Sequence, residues 1–82
     1  MSVEYYRKQI IDLRARLTKE KESKKKDNAY YAALIKGTSS ASSKTAYRKS
    51  KINKAASHDR AIDNLKKQIE NAKANLAKAR KK

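Results

Sequence analysis

Residues 34–44 read LIKGTSSASSK and separate two stretches of similar length and helix-forming composition. They include the only glycine of the chain, Gly37, and its densest group of serines. Glycine can take the left-handed conformation that closes a helix, and serine can cap the next helix. The sequence therefore predicts one all-α domain over residues 1–82. It is an antiparallel two-helix hairpin, with helices over 3–36 and 44–80 and a turn over 37–43. Valine at position 37 is expected to strain this turn by about 1 kcal/mol.

Composition supports the helical prediction and limits the class of protein. The 82 residues include no proline and no cysteine, so nothing interrupts either helix and disulfides are excluded. No stretch approaches the roughly 18 apolar residues of a membrane span, and no signal peptide is visible. We expect a cytoplasmic protein without a membrane span, and secretion by a route independent of a signal peptide stays open.

The chain is strongly basic, with a formal charge of +15. Residues 1–36 contain 10 basic and 5 acidic residues, whereas residues 44–82 contain 13 basic and 3 acidic ones. Such a field attracts polyanions, although a solvated lysine-rich helix surface has the same composition. The candidate polyanion contacts are the clustered cations Lys24, Lys25, Lys26, Arg48, Lys49, Lys51, Lys66, Lys67, Arg80, Lys81 and Lys82.

Apolar residues recur at alternating spacings of three and four in both halves, which predicts one apolar seam on each helix. In the first half the seam carries charged residues in its middle, at Glu20, Lys24 and Asp27. The second seam is expected to include Ile52 and His58. Folding the chain near residue 40 brings Lys24 and Asp27 near Ala55 and His58, so both seams are apolar at the two ends and small or polar between them. The predicted interface residues are Tyr6, Ile10, Leu13, Leu17, Tyr31, Leu34, Ile62, Leu65, Ile69 and Leu76.

A single layer of contact between two helices leaves a thin core. Tyr5, Ile11 and Tyr30 are expected to face outward, and in each tyrosine pair one ring faces the seam and the other a second surface. Burial of this extent barely offsets the entropy of ordering the chain. We therefore expect the hairpin to pair with itself or with another helical protein.

Enzyme signatures are missing from the sequence. One histidine, no cysteine and scattered acidic residues provide neither a metal cluster nor a nucleophile triad. The single glycine rules out a glycine-rich phosphate loop. We expect no catalytic, cofactor-binding or metal-binding residues and no small-molecule substrate. His58, near Asp59 and Asp27, is expected to be a structural histidine rather than a pH-sensitive contact.

Two resemblances accompany these patterns. The segments KEKESK (19–24), TSSASSK (38–44), SKI (50–52) and KKQI (66–69) are similar to lysine-rich coiled-coil hairpins of bacteria. Those hairpins commonly precede larger domains, some of them TIR-like domains linked to phage defence, and the resemblance implies a role in oligomerisation. The chain also resembles the small WXG-type hairpins of type VII secretion, with Ile35-Lys36-Gly37 where that family has Trp-x-Gly.

The leading functional prediction is a non-enzymatic hairpin that oligomerises or docks on a protein partner. The second is a basic protein that coats or condenses nucleic acid without sequence preference. The third is a helical partner in type VII secretion.

Overall fold

A computed structural model describes residues 3–81, which form two long helices packed against each other along their length. Helix α1 spans Val3–Gly37 and helix α2 spans Ala41–Arg80. Their Cα atoms fill a rod of 64 × 14 × 11 Å. The prediction of an all-α, antiparallel hairpin is therefore confirmed. Residues 1, 2 and 82 lie outside the described range, as does the predicted polyanion contact Lys82.

The turn is shorter than predicted, because it consists of residues 38–40 and α2 begins at Ala41 rather than at residue 44. Ser40 caps α2: its backbone is extended (φ −78°, ψ 122°), and the backbone N–H of Ser43 donates to its Oγ at 3.3 Å. The Ser40 carbonyl also accepts the backbone N–H of Lys44 at 3.0 Å, which begins the helical ladder. The cap is thus the serine directly before Ala41, as the preference of serine for this position explains.

Gly37 does not have the predicted role. It is the last residue of α1, and its φ is not positive, so the helix does not end in a left-handed cap. A Cβ atom built at Gly37 would meet nothing within 4 Å. The prediction that Gly37→Val strains the turn is therefore wrong. The φ of residue 37 is not positive, and its surroundings have room for a side chain.

The core is confined to the part of the hairpin farthest from the turn. Four buried residues form one cluster, Ile10 and Leu13 from α1 with Ile69 and Ala72 from α2, and Ile62 is buried nearby. The partly buried Leu17, Leu65 and Leu76 pack against this cluster. Ile10 and Ala72, far apart in the sequence, thus belong to the same cluster. We call residues 3–19 and 60–81 the distal half.

The turn half, residues 28–57, has no buried side chain. Tyr31, Leu34 and Tyr47 are only partly buried there. Ile52, predicted to lie on the seam, is 68% exposed, and the seam position is taken by Lys51. The reason is register: residues 51, 58, 65, 72 and 79 repeat every seven residues, and all of them are shielded by α1. Ile52 lies one position outside this series.

Candidate interaction surfaces

A layer of polar residues separates the two halves and centres on His58 of α2. Its Nδ1 lies 2.6 Å from Glu20 Oε1, and its Nε2 lies 2.6 Å from Asp27 Oδ2. Hydrogen bonds from Asp27 and then Glu20 raise the pKa of His58 above its usual 6.5, against a smaller opposing effect of burial. The imidazolium, which donates from both nitrogens, is the form that satisfies both carboxylates.

The same layer contains an ion pair between the helices. Lys24 Nζ of α1 lies 2.6 Å from Asp59 Oδ1 of α2. The predicted proximity of His58 to Asp27 is confirmed, whereas the contact of Glu20 with His58 was missed. The sequence pattern does indicate this contact, because Glu20 lies seven residues before Asp27 and both carboxylates are therefore on the same side of α1.

The tyrosine pairs have the predicted division of roles. The rings of Tyr5 and Tyr6 meet edge to face with centroids 5.2 Å apart, and Tyr30 and Tyr31 do the same at 5.2 Å. Tyr5 and Tyr30 are 51% and 60% exposed, while Tyr6 and Tyr31 are partly buried toward the other helix. Each pair therefore presents one ring to the hairpin and one to the surface.

The predicted interface residues lie on the sides where the two helices meet. Ile10, Leu13, Ile62 and Ile69 are buried, and the remaining six are partly buried: Tyr6, Leu17, Tyr31, Leu34, Leu65 and Leu76. The hairpin itself covers much of their surface. That a second protein contacts them stays a prediction.

A groove near the turn was not predicted and has an apolar floor with a cationic rim. Ala32 and Ile35 of α1 face Ile52 of α2 across it, and its rim is formed by Lys36, Arg48 and Lys51. We call this the turn groove. Its sequence signal was the departure of Ile52 from the seven-residue series of the seam.

The predicted polyanion contacts do not form one patch. Lys24 and Lys51 are partly buried, and Lys24 is bound to Asp59, so neither is a freely exposed cation. The other described members are exposed: Lys25, Lys26, Arg48, Lys49, Lys66, Lys67, Arg80 and Lys81. In the distal half, a groove beside Ile10, Ile11 and Leu76 is lined by three cations that were not predicted, Arg7, Arg14 and Lys73.

Comparison of the chain with protein-family models, curated proteins and solved structures gives no match. The two resemblances stay predictions. Within residues 3–81, no group of three or more His, Cys, Asp or Glu residues is arranged so that it could hold a metal ion, and neither helix has an apolar stretch sufficient to cross a membrane.

Proposed function

We propose that this protein is a helical-hairpin interaction module whose turn groove binds an acidic, amphipathic helix of a partner protein. The observation that carries the proposal is the exposure of Ile52, 68%, on the apolar floor of that groove. An isoleucine this exposed gains on the order of 1 to 2 kcal/mol when a partner covers it. The turn half has no buried side chain, and this apolar surface is available to a partner.

Charge favours an acidic partner over a second copy of the chain. Lys36, Arg48 and Lys51 surround the apolar floor, and no acidic residue lines the groove. A second copy of the chain also has a net charge of +15, so the cationic rim would repel it. An amphipathic helix with glutamates beside its apolar face would complement both the floor and the rim.

The test is fluorescence anisotropy with a labelled helical peptide that carries leucines on one face and glutamates beside them. A peptide of identical composition but scrambled order serves as its control. We expect the amphipathic peptide to bind more tightly than the scrambled one, and Ile52→Gln to weaken its binding roughly tenfold. Ile11→Gln removes a similarly exposed isoleucine, 65%, from the distal groove, which also has three cations, and should weaken binding less than Ile52→Gln does. A larger loss for Ile11→Gln would place the peptide in the distal groove instead.

Two other results would overturn this proposal. Equal binding of both peptides would mean that charge alone attracts them, without an apolar groove. Sedimentation that shows a dimer of the wild type, lost in Ile52→Gln, would instead assign the groove to a second copy of the chain.

A further inference from the structure

One side of the hairpin, mostly within the distal half, carries two rows of cations. Arg7 and Arg14 of α1 line a groove together with Lys73 of α2, so these three side chains lie on the same side of the hairpin. Along α1 the seam positions 10, 17, 24 and 31 are all shielded, as are 58, 65, 72 and 79 along α2. Residues a multiple of seven apart therefore keep the same position relative to the seam.

That periodicity extends the two rows. Lys21 follows Arg14 by seven residues, while Lys66 and Arg80 lie seven residues before and after Lys73. Each row spans about 21 Å with a charge every ~10.5 Å, from the rise of 1.5 Å per residue. All six side chains belong to exposed residues, and we call them the cationic face: Arg7, Arg14, Lys21, Lys66, Lys73 and Arg80.

Acidic residues neutralise little of the cationic face. Arg7 pairs with Glu4 at 3.2 Å and Lys73 pairs with Glu70 at 3.5 Å. Both are exposed pairs within one helix, a type that contributes little and exchanges readily with solvent. Among the described residues, no ion pair joins the other four cations of the face to an acidic group.

The opposite side of the distal half is different. The six matching positions there, seven residues apart on each helix, are Gln9, Arg16 and Ser23 of α1 with Ala61, Gln68 and Asn75 of α2. That side therefore has one cation where the cationic face has six. The two flanks of the helix interface therefore differ in charge. The other exposed cations of this half lie elsewhere on the surface: Lys8, Lys19, Arg60, Lys67, Lys78 and Lys81.

We infer that the cationic face binds the phosphate backbone of duplex nucleic acid without sequence preference. A straight array of like charges at regular intervals matches a rigid polyanion, and arginine and lysine are the side chains that contact phosphates. None of the six residues is aromatic, so the face offers no platform for stacking unpaired bases. The inference does not depend on the turn groove, which lies in the other half.

The experiment measures binding of a labelled duplex of arbitrary sequence as a function of salt. The face variant combines Arg14→Gln, Lys21→Gln, Lys66→Gln and Lys73→Gln. The control variant combines Lys25→Gln, Lys26→Gln, Lys49→Gln and Lys67→Gln, so both lose four positive charges from exposed helix positions. Glutamine favours helix about as well as lysine and arginine do, and circular dichroism checks that both variants fold.

We expect wild type to bind with a steep salt dependence. The face variant should lower the slope of log K against log salt by about 3 to 4 and weaken binding at low salt at least roughly tenfold. The control variant should change both quantities much less. Equal losses in the two variants would overturn the inference, since they would mean diffuse attraction by net charge. Competition by polyglutamate as strong as by unlabelled duplex would point to an acidic protein instead. No binding at low salt would also overturn it.

Discussion

The distal half and the turn half use the same seven-residue spacing, yet only the distal half builds a core. In the distal half, Ile10 and Leu13 meet Ile69 and Ala72, and all four are buried. In the turn half, Leu34 is partly buried and Ile52 is exposed. The polar layer around His58 lies between the two halves. The difference separates the two halves by core packing: the distal half has the buried side chains that hold the helices together, whereas the turn half leaves Ile52 at the surface.

The sharpest test of this separation truncates one leucine in each half. We expect Leu13→Ala to lower the free energy of unfolding by about 2 to 4 kcal/mol, because it leaves a cavity in the buried cluster of the distal half. Leu34→Ala, at a partly buried position in the turn half, should cost less than about 2 kcal/mol. Urea unfolding followed by circular dichroism measures both. Equal losses would show that the core is continuous along the rod.

A smaller effect tests where the second helix begins. Ser40→Ala removes the oxygen that accepts the Ser43 N–H and should cost about 1 kcal/mol. Ser42→Ala changes an exposed serine inside α2 and should stay within about 0.5 kcal/mol of wild type. Thermal unfolding of the two variants compares them directly. A larger loss for Ser42→Ala would contradict the assignment of the cap to Ser40.

The smallest effect is expected at the boundary between the halves, because water reaches the ion pairs of His58 and screens them. The pKa of His58 is raised in the folded protein by Asp27 and Glu20. Its contribution to stability is therefore fully present below the unfolded value of 6.5 and is lost as the pH rises through the folded pKa. The urea concentration at the midpoint of unfolding should fall as the pH rises from 5.5 to 8.5. This range runs from about one unit below to about two units above the unfolded pKa of 6.5.

His58→Asn is the control for this titration, and its midpoints should vary less with pH than those of wild type. Direct titration of the imidazole by NMR provides an independent measurement. A pKa at or below 6.5 would contradict the geometry, in which both ring nitrogens face carboxylates at 2.6 Å.

Much of the architecture could be predicted because helix formation and the seam depend on residues close in sequence. Helix-forming composition and the spacing of Ile10, Leu13 and Leu17 were sufficient for α1. Folding the chain at its single serine-rich segment then correctly brought Asp27 to His58. The outward rings of Tyr5 and Tyr30 followed from the angle between successive residues of a helix.

The surfaces were harder to predict because they depend on how the two helices face each other. Sequence placed Ile52 on the seam, but the position opposite α1 is occupied by Lys51. The predicted polyanion contacts are cations that cluster in the sequence. In contrast, Arg7 and Arg14 of α1 and Lys73 of α2 line one groove only in the folded chain. A cluster in sequence spreads around a helix, so neighbouring charges point in different directions.

The sequence by itself determined that the chain is helical, that it folds back near residue 40, and that its middle is polar. These properties depend on local propensity and on spacing within each helix. Only the tertiary structure decided that Ser40 caps α2, that Gly37 ends α1 without a left-handed residue, and that the core closes in the distal half alone. The first two depend on the backbone path through the turn, for which several serines and one glycine allow more than one solution. The third depends on the register between the helices, which is fixed by contacts between residues far apart in the chain.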